Sequence, residues 1–475
     1  MNTLPHFTTP QLQLLHRGKV RDSYRAPSGE RLIVVTDRLS AFDSVLETAI
    51  PYKGAVLNGL ANFWFDKTQD IVPNHVIRMV DPNAMLVKEA EPIRVEMIVR
   101  GYITGSMLRG YQKGQRTFSG VSVPDGLSKH QRFPEPIVTP TTKEETDREI
   151  TPENLVSEGW VSAELYEQMR VISLRLFTFA SEWMAERGII LVDTKYEFGL
   201  LNGELILIDE IHTPDSSRFW DAADYAQNPE GAAQMDKEYV RQWLIAGKTE
   251  AGYPTKLTDE VTAEASRRYL DIYQRITGEQ LPGANADGVN VPARLVKNLV
   301  KEGYMQDAWV NIVMGSPADK EHCQNIRKHF AGYNVFTQLR VTSAHKNGEE
   351  IVGMAEVWNN SSEPGVIIAV AGLSNGLGGA LAANVNVPVI SCPPWKDFAE
   401  LSANLNSSVI MPSATPNLTV VRPDNAAQAA LRALNVPRIR EQLSRDIQST
   451  KAKLRAADAE LRQLPLEAAQ KPIHA

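Results

Sequence analysis

Four short apolar runs, at 308–314, 337–344, 365–372 and 387–394, alternate with helix-length segments in the second part of the chain. Strand-length runs separated in this way build βαβ units around a parallel sheet. The first half reads differently. Residues 31–37 and 93–103 are β-rich, and 162–187 carry apolar residues at helical spacing up to Gly188. Two apolar-rich runs, 189–198 and 204–211, flank Asn202-Gly203, a strong hairpin signal. The spacing predicts an amphipathic helix over 258–276. Gly, Pro, Asn and Asp cluster over 279–290 as in a linker, and 291–304 predicts a connecting helix. The 475 residues leave room for two cores. The expected division is a first domain at 1–282, linker and helix at 283–304, a second domain at 305–436 and a charged helical arm at 437–475.

Composition narrows the function. A net charge of −7 argues against a general nucleic-acid binder. Two cysteines, Cys323 and Cys392, give neither a disulfide framework nor metal-ligand spacing, as suits a reducing cytoplasm. The N-terminus does not read as a signal peptide, and no stretch has the ~18–20 apolar residues that span a bilayer.

In the second half, chemistry gathers at strand ends, where ligands of parallel sheets collect. The first run ends at Gly315-Ser316-Pro317-Ala318-Asp319, and a strand–Gly–Ser–helix junction suits phosphate. Ser316 and Asp319 read equally as helix caps. The second run ends at Ser343-Ala344-His345-Lys346, where His345 is a proton carrier or a plain loop histidine. The third ends at Gly372-Leu373-Ser374-Asn375-Gly376-Leu377-Gly378-Gly379, whose glycines allow close backbone approach. Cys392, at the fourth, reads as a buried small side chain. Taken together, GSPAD, VTSAHK, AVAGLSNGLGG and PVISCPP resemble the AIR carboxylase family over roughly 308–435. SAHK with SNGLG is similar to the branch that uses CO2 directly. The mutase branch, which uses N5-carboxy-AIR, has a second His where this chain has Gly376. Leu373 stands where many of the CO2 branch have Arg.

That resemblance implies a three-layer α/β/α parallel-sheet, flavodoxin-like domain. It implies that Ser316, Asp319, Ser343 and Lys346 hold the ribose phosphate of AIR. His345 would move the C4 proton, and Gly372, Ser374, Asn375 and Gly376 would shape the ring and CO2 pocket. No biotin is expected, nor a metal in this site, because the electron-rich AIR ring attacks CO2 itself. The family's assembly implies a homo-octamer.

In the first half, Arg17-Gly18-Lys19-Val20-Arg21 is either a turn over nucleotide phosphates or a charged surface turn, and it is not a Walker loop. Residues 99–109 offer Arg100 and Ser106 for anions. Residues 134–143 (PEPIVTPTTK) read as a Pro/Thr-rich loop ending in Lys143. Asp193, Lys195 and Glu197 alternate and so share a strand face. With Asp209 and Glu210 on the returning strand, the hairpin is either a Mg2+–nucleotide platform or a solvated, charged one. A strict two-residue turn at Asn202-Gly203 puts Asp209 on the opposite face from Asp193 and Glu197. Joint action therefore predicts a longer odd loop or a bulge there.

GKVRD, TDRLSAFD, VRGYITGS, PEPIVTPTTK, DTKYEFG and IDEIHTPDSSRFW resemble SAICAR synthetase over roughly 12–280. The resemblance implies an α+β, ATP-grasp- or kinase-like domain that joins carboxy-AIR (CAIR) to L-aspartate with ATP and Mg2+. By position, Gly18, Lys19, Arg21 and Lys143 attend ATP, while Glu197 and Asp209 hold Mg2+. Arg100, Ser106, Asp193, Lys195, Ser217 and Arg218 bind CAIR and aspartate, with Lys195 and Arg218 also neutralising charge in the transition state. The stretch 143–149 is shorter than the family's Gly-His-Asp loop. One domain's product is then the other's substrate. The expected ligands are AIR, CO2 or bicarbonate, CAIR and aspartate, with no nucleic acid and no membrane. Two readings compete: an N5-carboxy-AIR mutase in the second half, or one half serving as an inactive oligomerisation scaffold. A kinase would need HRD and DFG motifs, which are absent.

Overall fold

The computed structural model describes residues 3–42, 44–144, 147–232, 235, 238–250, 252–284 and 289–463. Residues 285–288 of the predicted linker, Glu145 and Thr146 of the shortened stretch, and the end of the arm beyond 463 lie outside them. The chain forms two compact units, one of Met1–Phe7 with Leu12–Tyr304, the other of Thr8–Gln11 with Met305–Ala475.

The first unit is built on two large antiparallel sheets, beside two short two-stranded ones. One contains β1 (Gln13–Arg17), β2 (Arg21–Arg25), β3 (Arg31–Val35), β4 (Val76–Asp81) and β5 (Ala84–Val87), in the order β1-β2-β3-β5-β4. The other contains β6 (Glu91–Tyr102), β7 (Arg132–Thr142), the short β8 (Arg148–Glu149), β9 (Ile189–Leu201) and β10 (Glu204–Ile208), in the order β8-β7-β6-β9-β10. A further strand, β11 (Ser217–Asp221), also pairs with β9.

Helix α1 (Lys53–Lys67) packs on the first sheet and α2 (Gly105–Gln112) follows β6. Helix α3 (Ala163–Ala185) begins where Ser162 accepts the Leu165 N–H, a side-chain N-cap. Its Leu176, Phe177, Ala180 and Met184 are buried against the second sheet. Helix α4 (Glu238–Ala246) leads to α5 (Asp259–Thr277), which ends on left-handed Gly278 (φ +79°). The predicted connecting helix, α6 (Val291–Lys301), is part of this unit. Its Arg294 and Asn298 hold the buried Asp81 at 3.0 and 2.7 Å.

The segment 134–143, read as a loop, is instead strand β7, paired with β6 through Thr142. Its prolines are tolerated because only the two-residue β8 occupies its other edge.

The second unit is a five-stranded parallel sheet of β12 (Ala308–Met314), β13 (Val335–Val341), β14 (Gly365–Val370), β15 (Val389–Ser391) and β16 (Leu418–Thr419), in the order β13-β12-β14-β15-β16. This is the flavodoxin-like order, with its switch point beside β12. Helices α7 (Lys320–Arg327), α8 (Glu350–Asn359), α9 (Gly376–Asn384), α10 (Phe398–Val409) and α11 (Pro423–Leu434) connect the strands and continue into α12 (Pro437–Leu461). Two apolar clusters flank the sheet, one under α7 and α11 and one under α8 and α9. In α12 only the first turns are buried, through Ile439 and Leu443. Thr8–Gln11 also belongs here. The Ser362 N–H donates to the Thr8 carbonyl at 2.8 Å, and Thr9 and Gln11 donate to one oxygen of the buried Glu363. Among the described residues no helix is long and apolar enough to cross a membrane.

Candidate active sites

Strand register assembles the first site. Across β6 and β9, Arg100 faces Asp193, Ile98 faces Lys195 and Glu96 faces Glu197, while Arg218 on β11 pairs with Asp193 from the other side. The result is a row of cation, carboxylate and cation over three neighbouring strands. Asp193 accepts from Arg218 and lies 3.6 Å from the Arg100 guanidinium, whose Nε donates to Thr139 at 2.9 Å. Arg100, Ser106, Asp193, Lys195, Ser217 and Arg218 line one cleft of about 220 Å³. Asp215, Ser216 and Arg241 line it as well. Arg241 lies on α4 and was not selected in the sequence, because an arginine on a helix carries no local mark of its target. Gly105 must be glycine: its φ is +58°, and a Cβ there would sit 2.7 Å from the Arg218 guanidinium.

At the Glu197 end of the row, Glu197 receives Lys195 on one oxygen (2.7 Å) and Lys143 on the other, and Lys195 also bonds Glu96 at 2.8 Å. Burial alone would lower the pKa of Lys195, but Glu197, Asp209 and Glu96 hold it above its ordinary value. Burial would raise that of Glu197, which the two lysines bring well below the carboxylate range. Arg21 pairs with both Asp209 and Glu210. Gly18-Lys19-Val20 turns between β1 and β2, and Arg38 pins that turn from below through the carbonyls of Gly18 (2.9 Å) and Lys19 (3.0 Å).

The expected loop insertion or bulge in the hairpin is not what brings Asp209 round. Leu201 pairs with Glu204, so the turn is strictly two residues, with Asn202 at φ +54° and Gly203 at φ +84°. Asp209 follows the end of β10 at φ +66°, and this left-handed residue turns its side chain toward Glu197 and Lys195. Burial, countered by Arg21 and reinforced by Glu197, pushes the Asp209 carboxyl up to about 6. The buried Glu197 and the part-exposed Asp209 are hard-oxygen donors neutralised by lysine and arginine, a donor set that suits Mg2+. Among the described residues no group of three or more His, Cys, Asp or Glu could hold a metal. Mg2+ commonly takes one or two protein carboxylates and completes its shell with phosphate and water.

In the second unit, the ends of β12, β13 and β14 meet around the switch point. Ser316 accepts the Ala318 N–H at 3.3 Å, and the Gly315 N–H donates to the Val370 carbonyl at 2.9 Å. Burial, and then Glu400, raises the Asp319 carboxyl. The loop Ser343–Asn347 closes on itself, with the Ser343 N–H donating to the Asn347 side chain at 2.8 Å, and it presents His345 and Lys346 at the surface. A Cβ at Gly376 would lie 2.7 Å from His345 Nε2, so the imidazole rests on that glycine. Asn375 works inside the loop: its side chain donates to Ser391 (2.9 Å) and Ser408 (3.0 Å) and accepts the Gly378 N–H. Cys392 is fully buried, and burial pushes its thiol up to about 12.

A charged cleft on an antiparallel sheet, joined in one polypeptide to a switch-point site on a parallel sheet, defines a two-domain enzyme of small anionic metabolites. The SAICAR synthetase family model matches residues 14–260 and the AIR carboxylase model residues 309–456, and the chain belongs to the SAICAR synthetase family with an AIR carboxylase domain fused behind it. It is an enzyme of purine biosynthesis with an ATP-using C–N ligase in one unit and a carboxylase of the lyase class in the other. A phosphoribosylaminoimidazole-succinocarboxamide synthase of Azobacteroides pseudotrichonymphae is 42% identical over 324 residues, 66% of this chain and 99% of that protein. One from Bacteroides fragilis is 42% identical over 308 residues, 63% of this chain and 97% of that protein. The structure of SAICAR synthase from Saccharomyces cerevisiae complexed with SAICAR aligns with 58% of this chain and 99% of its own, at 34% identity and a TM-score of 0.53.

Proposed function

We propose that the second unit carboxylates AIR with CO2 to CAIR, and that the first condenses CAIR with L-aspartate, using ATP, to give SAICAR, ADP and phosphate. The observation that carries the synthetase reading is the Arg100–Asp193–Arg218 row, with Ser106, Lys195 and Ser217 around one cleft. Two arginines suit the phosphate and carboxylates of the substrates, because guanidinium binds such groups bidentately. The yeast synthase's complex with SAICAR supports the same reading. In this mechanism the CAIR carboxylate takes the γ-phosphoryl group and becomes an acyl phosphate. The aspartate amine then displaces phosphate. No side-chain nucleophile takes part. Lys195, Arg218 and Lys143 align the reactants and neutralise charge as it develops. Glu197 and Asp209 would hold Mg2+, which screens the phosphates when bound.

In the carboxylase unit, Ser316, Asp319, Ser343 and Lys346 hold the ribose phosphate, and His345 takes the C4 proton after C4 attacks CO2. The seating of His345 on Gly376 favours the carboxylase over the mutase reading, since a second histidine at 376 would displace the first. We further propose a cytoplasmic homo-octamer built through this unit. Leu373, Phe398 and Ile410, 73%, 83% and 77% exposed, are apolar surface that such an assembly would cover.

The test is an assay of the purified chain with AIR, bicarbonate, aspartate, Mg2+ and ATP, leaving out each in turn. CAIR should form from AIR and bicarbonate alone, and SAICAR should require all five. CAIR formed only from N5-carboxy-AIR would overturn the carboxylase reading. SAICAR formation from supplied CAIR that survives omission of ATP would overturn the ligase reading.

A further inference from the structure

We infer that Glu96 is a positioning residue, the fixed counter-charge that keeps Lys195 in place while Glu197 exchanges its lysines for a cation. The inference rests on the synthetase reading of the site. Glu197 has both oxygens occupied, one by Lys195 and one by Lys143. A divalent cation cannot share that carboxylate with two ammonium groups at bonding distance, because like charges so close repel strongly. Glu197 must therefore release at least one lysine when it binds the cation. Lys143, nearly half exposed, can swing toward nucleotide phosphates. Lys195 sits on the central strand between two carboxylates, and only Glu96 is free to keep it. Glu96 stands directly opposite Glu197 in the β6–β9 register, is buried, and accepts from Lys195 at 2.8 Å, against 2.7 Å for Glu197. In its absence Lys195 has Glu197 as its one carboxylate partner in the pair, and the cation must compete with it.

The experiment measures ADP binding to the full-length chain by calorimetry as Mg2+ is varied. In Glu96→Gln the Mg2+ concentration that half-saturates binding should rise about tenfold, the worth of one charge-assisted hydrogen bond. Affinity at saturating Mg2+ should change little. Glu96→Asp should recover part of the loss. In a Lys195→Gln background the Glu96 substitution should add nothing, because Glu96 acts through Lys195. An unchanged Mg2+ midpoint in Glu96→Gln, or an equal effect in both backgrounds, overturns the inference. If Glu96→Gln does not fold, the comparison of Glu96→Asp with the parent carries the same test. Absence of any Mg2+-dependent ADP binding by the parent chain would instead sink the synthetase reading of the site.

Discussion

Replacing Gly376 with alanine should disable carboxylation without unfolding the domain. Gly376 opens helix α9, and its φ is not in the left-handed range, so the backbone accepts a side chain without strain. The obstacle is contact. The added methyl would lie 2.7 Å from His345 Nε2 and 2.8 Å from Cε1. Carbon and its neighbours settle at about 3.5–4.0 Å, so the ring must retreat by roughly 1 Å. His345 is exposed at the end of a loop, so moving it costs little stability. A displacement of about 1 Å in a reacting group costs on the order of 10²-fold in rate. Carboxylation of AIR should fall about 100-fold while the melting profile stays put. SAICAR synthesis from supplied CAIR, measured on the same preparation, should be unchanged and serves as the folding control. Carboxylase activity within threefold of the parent, with the other activity intact, would refute the idea that His345 must rest on this glycine.

Gly105→Ala meets a left-handed φ as well as the Arg218 guanidinium, so it should destabilise the first unit by about 1 kcal/mol and lower SAICAR synthesis; equal activity at saturating substrates would contradict it. Asp193→Asn removes the counter-charge between Arg100, whose side chain is 8% exposed, and Arg218. It should cost about 3 kcal/mol in denaturant unfolding, and adding Arg218→Gln should restore part of that. Burial pushes the Glu363 carboxyl up to about 7, against donors from Thr9, Gln11 and Ser361. A folded pKa above the unfolded one means that the native state binds the proton more tightly. The parent should therefore gain stability as pH falls from 8 toward 5, while Glu363→Gln should not. Their melting temperatures should differ most at high pH; parallel profiles would refute the raised pKa of Glu363.

How much of this was legible in the sequence depends on the range of the interaction. The alternation of Asp193, Lys195 and Glu197 is local, and it placed three side chains on one face. Their partners were not local. Arg100 meets Asp193, and Glu96 meets Glu197, only through the β6–β9 register, and sequence spacing holds no record of which strands pair. Arg241 reaches the cleft from α4 for the same reason. The run 134–143 misled because its prolines and threonines resemble a loop, whereas an almost uncovered strand edge accepts proline. The return of Asp209 was read as a matter of loop length, and the chain solves it with a single left-handed residue. In the second unit the strand ends were plain, since apolar runs and glycines mark them directly. Only the short β16 carried too weak a signal to be seen.

The charge pattern of the first site explains how so many ionised groups lie close together on one sheet. Most of the cations assigned to phosphate or carboxylate are already paired with a carboxylate of the site: Arg21 with Asp209 and Glu210, Lys143 and Lys195 with Glu197, Arg218 with Asp193. The pairs offset the desolvation of burying them, which unpaired charges could not do. Ligand binding is then an exchange of partners, and its affinity is a difference between two nearly balanced sets of ion pairs. Under the proposed function such a difference favours a nucleotide arriving with its cation. Phosphate alone would strip the lysines from Glu197, and a cation alone would leave Lys143 without a counter-charge, Lys195 keeping Glu96. Under the proposed function, selectivity for the complete set of reactants follows from that balance.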